Sequence, residues 1–219
     1  MADYAQTYRD ARGRVIDLVG RLDQDQLDMI APATPEWRVR DIVAHLAGVC
    51  ADVVAGNLDG VATDAWTARQ VDARRDRRFD DVLREWEETG AAVEAVVPDF
   101  PEVAVGQMIT DTATHEQDVR GALGARGARD SDAVDIAVRW GAQMLDRTQP
   151  LRFETDAGAL DASDGTPVAT VRASRFELLR AMTGRRSLDQ MRAYGWKGTP
   201  CPERLLLPIF GPRAEALVE

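Results

Sequence analysis

The chain has 219 residues and a formal net charge of −10, with 45% hydrophobic and 29% charged residues. That is enough apolar material for one large domain, or for one domain with a small appendage, and the acidic balance argues against a nucleic-acid-binding surface as its main business. No apolar run approaches a membrane span, the N-terminus MADYAQTYRD lacks the pattern of a signal peptide, and Cys50 and Cys201 are far apart with no metal-ligand spacing, so the expectation is a reduced, cytoplasmic protein with no membrane partner.

Residues 3–27 form a first amphipathic helix, because Tyr4, Tyr8, Ala11, Val15, Leu18, Val19 and Leu22 recur at helical spacing with charges between them. The segment APATPEW breaks it, since Pro32 and Pro35 cannot continue a helix. A second helix is expected over 39–55, with Ile42, Leu46, Val49 and Val53 on its apolar face. His45 lies three residues after Ile42 and four before Val49, so it points to the core side. A lone histidine there is usually a hydrogen-bonded core residue. The chain has only one other, His115, and both fall on inward stripes of expected helices.

Residues 63–78 and 80–97 read as further helices, the second with Val82, Leu83, Trp86 and Val93 and ended by Pro98 and Pro101. The basic run Arg74, Arg75, Arg77 and Arg78, interrupted by Asp76, reads as a solvated helix face rather than an anion contact. Of the 27 basic residues only Lys197 is lysine; with abundant Ala, Val, Asp and Gly, that bias fits a GC-rich bacterial genome.

The stretch 108–124, MITDTATHEQDVRGALG, is the one the chain is organised around. It reads as a helix with Gly121 and Gly124 as stop signals. At about 100° per residue, Asp111 lies about 40° and Asp118 about 60° to the same side of His115. Met108, Val119 and Ala122 share that stripe. Two carboxylates and an imidazole among apolar residues need partners, because burying them bare costs several kcal/mol. A divalent metal is one answer. A self-satisfied Asp–His–Asp hydrogen-bond cluster, or a helix edge that reaches water, is the other.

A helix follows over 130–147, with Ser131 as its cap. After Pro150 the character changes. LRFET and PVATVRA read as short strands around the turn-rich DAGALDASDGT, whose acidic residues lack EF-hand spacing. A helix over 174–182, the loop GRRS, a short helix near 188–194 and a Pro-rich tail complete the chain. The domain reading is therefore a helical bundle over 1–148 and a small α/β region over 149–219.

Four pieces together suggest a family: TPEWRVRDIVAHLAG, THEQDVRGALG, the basic segment WTARQVDARRDRR, and FELLRAMTGRRS. The set resembles the mycothiol-dependent maleylpyruvate isomerase family of the DinB-like superfamily, and the resemblance spans most of the chain. The W-x-V-x-D-x-x-x-H-L and H-x-x-D-x-R-x-A-L-G pieces are specific jointly and weak singly. The resemblance implies a mainly α fold, a four-helix bundle of DinB-like type with a small C-terminal α/β region.

It also implies a divalent metal, typically zinc, held by His45, Asp111 and His115, with mycothiol as the thiol cofactor. Family members more often have Glu where this chain has Asp111. Asp118 falls on an acidic position that could orient a ligand or a metal-bound water. Three protein ligands leave an open position, as in catalytic rather than structural zinc sites. A thiol bound there loses its proton readily, and the thiolate adds to a conjugated double bond, lets it rotate and leaves. Arg185 or Arg186 is the residue expected to grip the carboxylate of a small acidic substrate or of the thiol. Two readings stand beside this one: a non-catalytic bundle that binds a small ligand or a partner protein, and a DinB-like metal-dependent hydrolase that needs no thiol.

Overall fold

The computed structural model describes residues 3–219 and is mainly helical with a small sheet. Its elements are α1 (Tyr4–Val19), α2 (Gln24–Leu27), β1 (Ile30–Ala31), β2 (Thr34–Arg38), α3 (Val39–Ala55), α4 (Asp64–Asp72), α5 (Phe79–Val96), α6 (Glu102–Leu123) and α7 (Asp132–Met144). Then come β3 (Leu151–Thr155), β4 (Gly158–Asp161), β5 (Ala169–Arg172), α8 (Arg175–Met182), α9 (Leu188–Arg192) and β6 (Gly195–Lys197). No helix among the described residues is long and apolar enough to cross a membrane. The chain divides into two compact units, one of residues 1–108 and 115–125, the other of 109–114 and 126–219.

In the first unit the long helices α1, α3 and α5, with the two ends of α6, carry the mass. The first helix is shorter than its pattern suggests. Asp23 accepts the Gln26 N–H and Gln26 reaches back to Asp23, a capping box that starts α2 and splits the expected 3–27 helix in two. The segment expected to be only a break forms a short antiparallel hairpin, β1 with β2, pairing Ile30 with Arg38 and Ala31 with Thr34. The expected 63–78 helix ends at Asp72. In the other direction, α6 begins at Glu102, six residues before the expected start.

Helix α5 packs on both α1 and α3. Buried carboxylates pin the helices together. Glu94 of α5 takes Arg9 and Arg12 of α1 at 2.8 and 2.7 Å, and Glu116 of α6 takes Arg14 of α1 at 2.8 Å. Each carboxylate is nearly solvent-free yet bound by two guanidinium groups, Glu116 having Arg120 of its own helix as the second, which satisfies the charge that burial would otherwise penalise. The basic run after α4 is solvated at Arg75 and Arg78, as its sequence suggests, but not throughout. Arg74 is buried and, with Arg77, clamps Glu85 of α5.

The second unit holds a four-stranded sheet in the order β4-β3-β5-β6, with β3 and β5 parallel and the other pairs antiparallel. The turn-rich segment between the two expected strands contains β4, which pairs with β3 as a hairpin, and β6 adds an edge strand that periodicity over three residues cannot announce. Leu151 and Phe153 of β3 and Ala169 and Val171 of β5 are buried by period-two alternation. Helix α8 packs on α7 and is buried along most of its length, from Phe176 through Met182.

Candidate metal centre

The site starts from two helix boundaries. At the N-terminus of α3, Arg38 is extended and its backbone N–H donates to Asp41 Oδ2 at 3.0 Å, while its guanidinium grips the same carboxylate. Burial alone would raise the Asp41 carboxyl; the Arg38 guanidinium and N–H outweigh it and hold it below the ordinary carboxylate range. This cap fixes where α3 begins and so which face His45 takes. Seven of the eight residues Val39–Leu46 are buried, His45 among them at 4% exposure. Helix α6 ends at Gly124, which adopts the left-handed conformation (φ 62°) expected of a glycine C-cap.

Between these ends the two imidazoles meet. The His45 and His115 ring centroids are 5.2 Å apart, edge to face. Trp37, the penultimate residue of β2, packs on both, 5.2 Å from His45 and 5.5 Å from His115. Asp111 stands one turn before His115 on α6. One donor atom from each of His45, Asp111 and His115 lies within 4.8 Å of the others. The expected metal-ligating residues are thus brought together, with both histidines buried and Asp111 half-buried.

Each imidazole is oriented through its Nδ1. His115 Nδ1 sits 3.0 Å from Oδ2 of Asp118, whose carboxylate is fully buried. His45 Nδ1 sits 2.8 Å from Oε1 of Gln70 on α4. A histidine held at Nδ1 turns Nε2 toward a ligand, as metal-binding histidines commonly do. The Asp118–His115 bond is the self-satisfied contact the sequence allows. Two imidazoles and one carboxylate within this span suit zinc or a similar divalent ion with a position left for substrate, so the residues present fit such a metal.

Two participants are not legible in the sequence as site residues. Trp37 reaches the rings only through the hairpin. Gln70 carries one signal: with Trp66 and Arg74 it forms a buried stripe at four-residue spacing, where a glutamine is out of place unless something binds it.

Arg185 and Arg186 lie in the second unit, both buried. Arg186 is engaged on every side: Nε and Nη2 donate to Glu177 at 2.7 and 2.8 Å, and Nη1 donates to Glu219 at 2.9 Å and to the Arg185 carbonyl at 3.0 Å. Arg185 donates Nη1 to the Thr183 carbonyl, and its guanidinium lies 5.7 Å from the Phe210 ring. Arg180, which nothing in the sequence singles out, is fully buried and paired with Glu219. Burial alone would raise the Glu177 carboxyl, but Arg186 outweighs it, with help from the Tyr194 hydroxyl, and holds it below the ordinary glutamate value. A depressed folded pKa contributes stability above the unfolded carboxylate value, lost as pH falls through the folded one. The melting temperature should therefore drop as pH falls from about 5 toward 3, through the ordinary carboxylate range. In Glu177→Gln the curve should start lower at pH 6 and fall less, and parallel curves for the two proteins would remove Glu177 from the account.

The family model described as the mycothiol maleylpyruvate isomerase N-terminal domain matches residues 8–126. Two solved structures share the fold, the mycothiol-dependent maleylpyruvate isomerase and a histidine-to-alanine mutant of it. Both have a TM-score of 0.56 and cover 84% of this chain and 90% of their own, at 12% and 11% identity respectively. No curated protein matches the chain in sequence.

Proposed function

Because the chain belongs to the mycothiol maleylpyruvate isomerase family, whose N-terminal domain model matches more than half of it, we propose that it is a metal-dependent, mycothiol-using enzyme of the cytoplasm. Its reaction is isomerisation of, or thiol transfer to, a small acidic electrophile such as maleylpyruvate. The observation that carries the reading is the donor set of His45, Asp111 and His115, with both histidines oriented through Nδ1.

In this reading a divalent metal, when bound, supplies the Lewis acidity that favours the thiolate form of a small thiol at neutral pH. His45, Asp111 and His115 hold it. Asp118 keeps His115 in the Nδ1–H tautomer and strengthens its Nε2 as a donor. Trp37 covers the ring faces and keeps water from them, which raises the weight of every charge in the site. Of the two loop arginines expected to grip the substrate carboxylate, Arg186 is held by both Glu177 and Glu219, and Arg185 is the one proposed to exchange its partners in the fold for the substrate.

The test is consumption of maleylpyruvate by metal-loaded and chelator-treated protein, each with and without mycothiol. Turnover that needs both supports the reading. Metal without thiol-dependent turnover of any acidic electrophile supports the hydrolase, and absence of both metal and turnover supports a binding bundle. Within the active protein, Arg185→Ala should lower kcat/KM at least tenfold, about 1.4 kcal/mol of transition-state binding, with zinc content unchanged. A near-normal Arg185→Ala enzyme returns that loop to a helix end and nothing more.

A further inference from the structure

Gln70 was not among the residues expected to matter, yet it is only 2% exposed and both ends of its amide are bound. Its Oε1 lies 2.8 Å from His45 Nδ1, and its Nε2 donates to Asp52 Oδ2 at 2.7 Å. Its backbone carbonyl accepts from Arg74 Nη1 at 3.0 Å, which fixes that turn of α4. The approach is close because residue 48 is glycine: a Cβ there would sit 2.4 Å from Gln70 Cβ. Gly48 is one turn from His45 on the same helix, so the helix carrying the ligand is cut away where the glutamine enters.

We propose that Gln70 is a positioning residue that, set by Asp52, locks His45 in the tautomer that can bind a metal; this rests on the metal reading above. A carboxylate has acceptors only, so Asp52 takes the NH2 end of the Gln70 amide and the carbonyl end must face His45. A carbonyl has no hydrogen to give, so Nδ1 must carry one. Nε2 is then the nitrogen with a lone pair.

If the amide turned over, its NH2 would face Nδ1, the ring hydrogen would move to Nε2, and His45 could not ligate through that nitrogen. Asp52 stands two hydrogen bonds from His45 yet decides whether that ring is competent to bind a metal. The two histidines are thus held differently, His115 by a carboxylate directly and His45 by an amide that a carboxylate has fixed.

The chain has only two histidines, so long-range proton–nitrogen correlation spectra can report each tautomer in metal-free protein at pH 8. Wild type should show His45 as Nδ1–H. Asp52→Asn, which lets the amide take either orientation, and Gln70→Leu, which removes it, should both give a mixed population. Zinc affinity, measured by competition with a chelating dye, should fall 10- to 100-fold in each. The double variant Gln70→Glu with Asp52→Asn restores an acceptor facing His45 and a donor facing residue 70. It should recover both the tautomer and the affinity to within about threefold, as second-sphere rescue requires.

Circular dichroism checks that each variant is folded, and Asp52→Asn, at a half-buried position, carries the test if Gln70→Leu does not fold. An Nε2–H His45 in wild type, or an unchanged tautomer in Asp52→Asn, overturns the proposal. So does a double variant no better than Asp52→Asn, because a merely structural contact would not be rescued. Protein that binds no zinc but shows the tautomer and its rescue would sink the metal reading while leaving the positioning role standing.

Discussion

Protein in which His115 is replaced by alanine should keep its helices and lose its metal. The donor set has three members, and removing one leaves an imidazole and a carboxylate, too few to hold a divalent ion against water and buffer. Affinity should fall by about a thousandfold or more, well beyond the 10- to 100-fold that an orienting residue costs. His45→Ala should do the same. The helices survive because the packing around the site is apolar and independent of it: Ile42, Val43, Leu46, Ile109, Ala113 and Val119 are all buried.

The two variants should differ in stability. His115→Ala strips the fully buried Asp118 of its Nδ1–H partner, at about 1.5–3 kcal/mol for a hydrogen bond to a charged group. His45→Ala strips a neutral acceptor, Gln70 Oε1, of its ring partner while the NH2 end of that amide keeps Asp52, a smaller loss than one at a buried charge. Elemental analysis of protein purified without a chelating column, beside a thermal melt, reads both effects. Full zinc occupancy in both variants would falsify the site.

How much of this was legible before the structure depends on the reach of each interaction. Helical periodicity puts His45, Asp111, His115 and Asp118 on inward stripes and finds most of the helices, while the choice of the first three as a ligand set comes from the family resemblance. The left-handed Gly124 follows from its place after the last periodic residue. What fails is whatever depends on contacts distant in sequence. The β1–β2 hairpin hides behind Pro32 and Pro35, and with it goes the placement of Trp37 against both imidazoles. Gln70 looks like one polar residue on a charged helix until Gly48, 22 positions earlier, is seen to admit it. The start of α6 is masked by Pro101 and by a glycine at 106, both of which suggest a break. Arg186 had two readings, helix-end charge or substrate grip, and neither included Glu219, because nothing local announces a partner 33 residues away.

Arg186 therefore carries a different expectation from the one its loop suggests. Read as a helix-end arginine or a substrate contact, its removal should barely change the melting temperature. In the structure it is 2% exposed, donates to two carboxylates, and lies 5.5 Å from the Phe176 ring. Replacing it with alanine removes one of two guanidinium partners from Glu219, whose side chain is shielded from solvent and keeps Arg180, and takes the ion pair from Glu177, which keeps the Tyr194 hydroxyl. Removing one member of a buried ion pair costs about 3 kcal/mol or more, because the other charge stays behind. For a chain of this size that is a fall of about 6–12 °C in melting temperature.

Glu177→Gln combined with Arg186→Met, which takes away both charges and keeps the volume, should recover part of the loss, as replacing a whole buried pair often does. Zinc content should be unchanged in every variant, since none touches the donor set. Activity per folded molecule should also hold in Arg186→Ala, in contrast to Arg185→Ala. A melting temperature within 2 °C of wild type for Arg186→Ala, with a tenfold loss of kcat/KM, would reverse the assignment: Arg186 would then be the substrate residue and its ion pairs incidental to the fold.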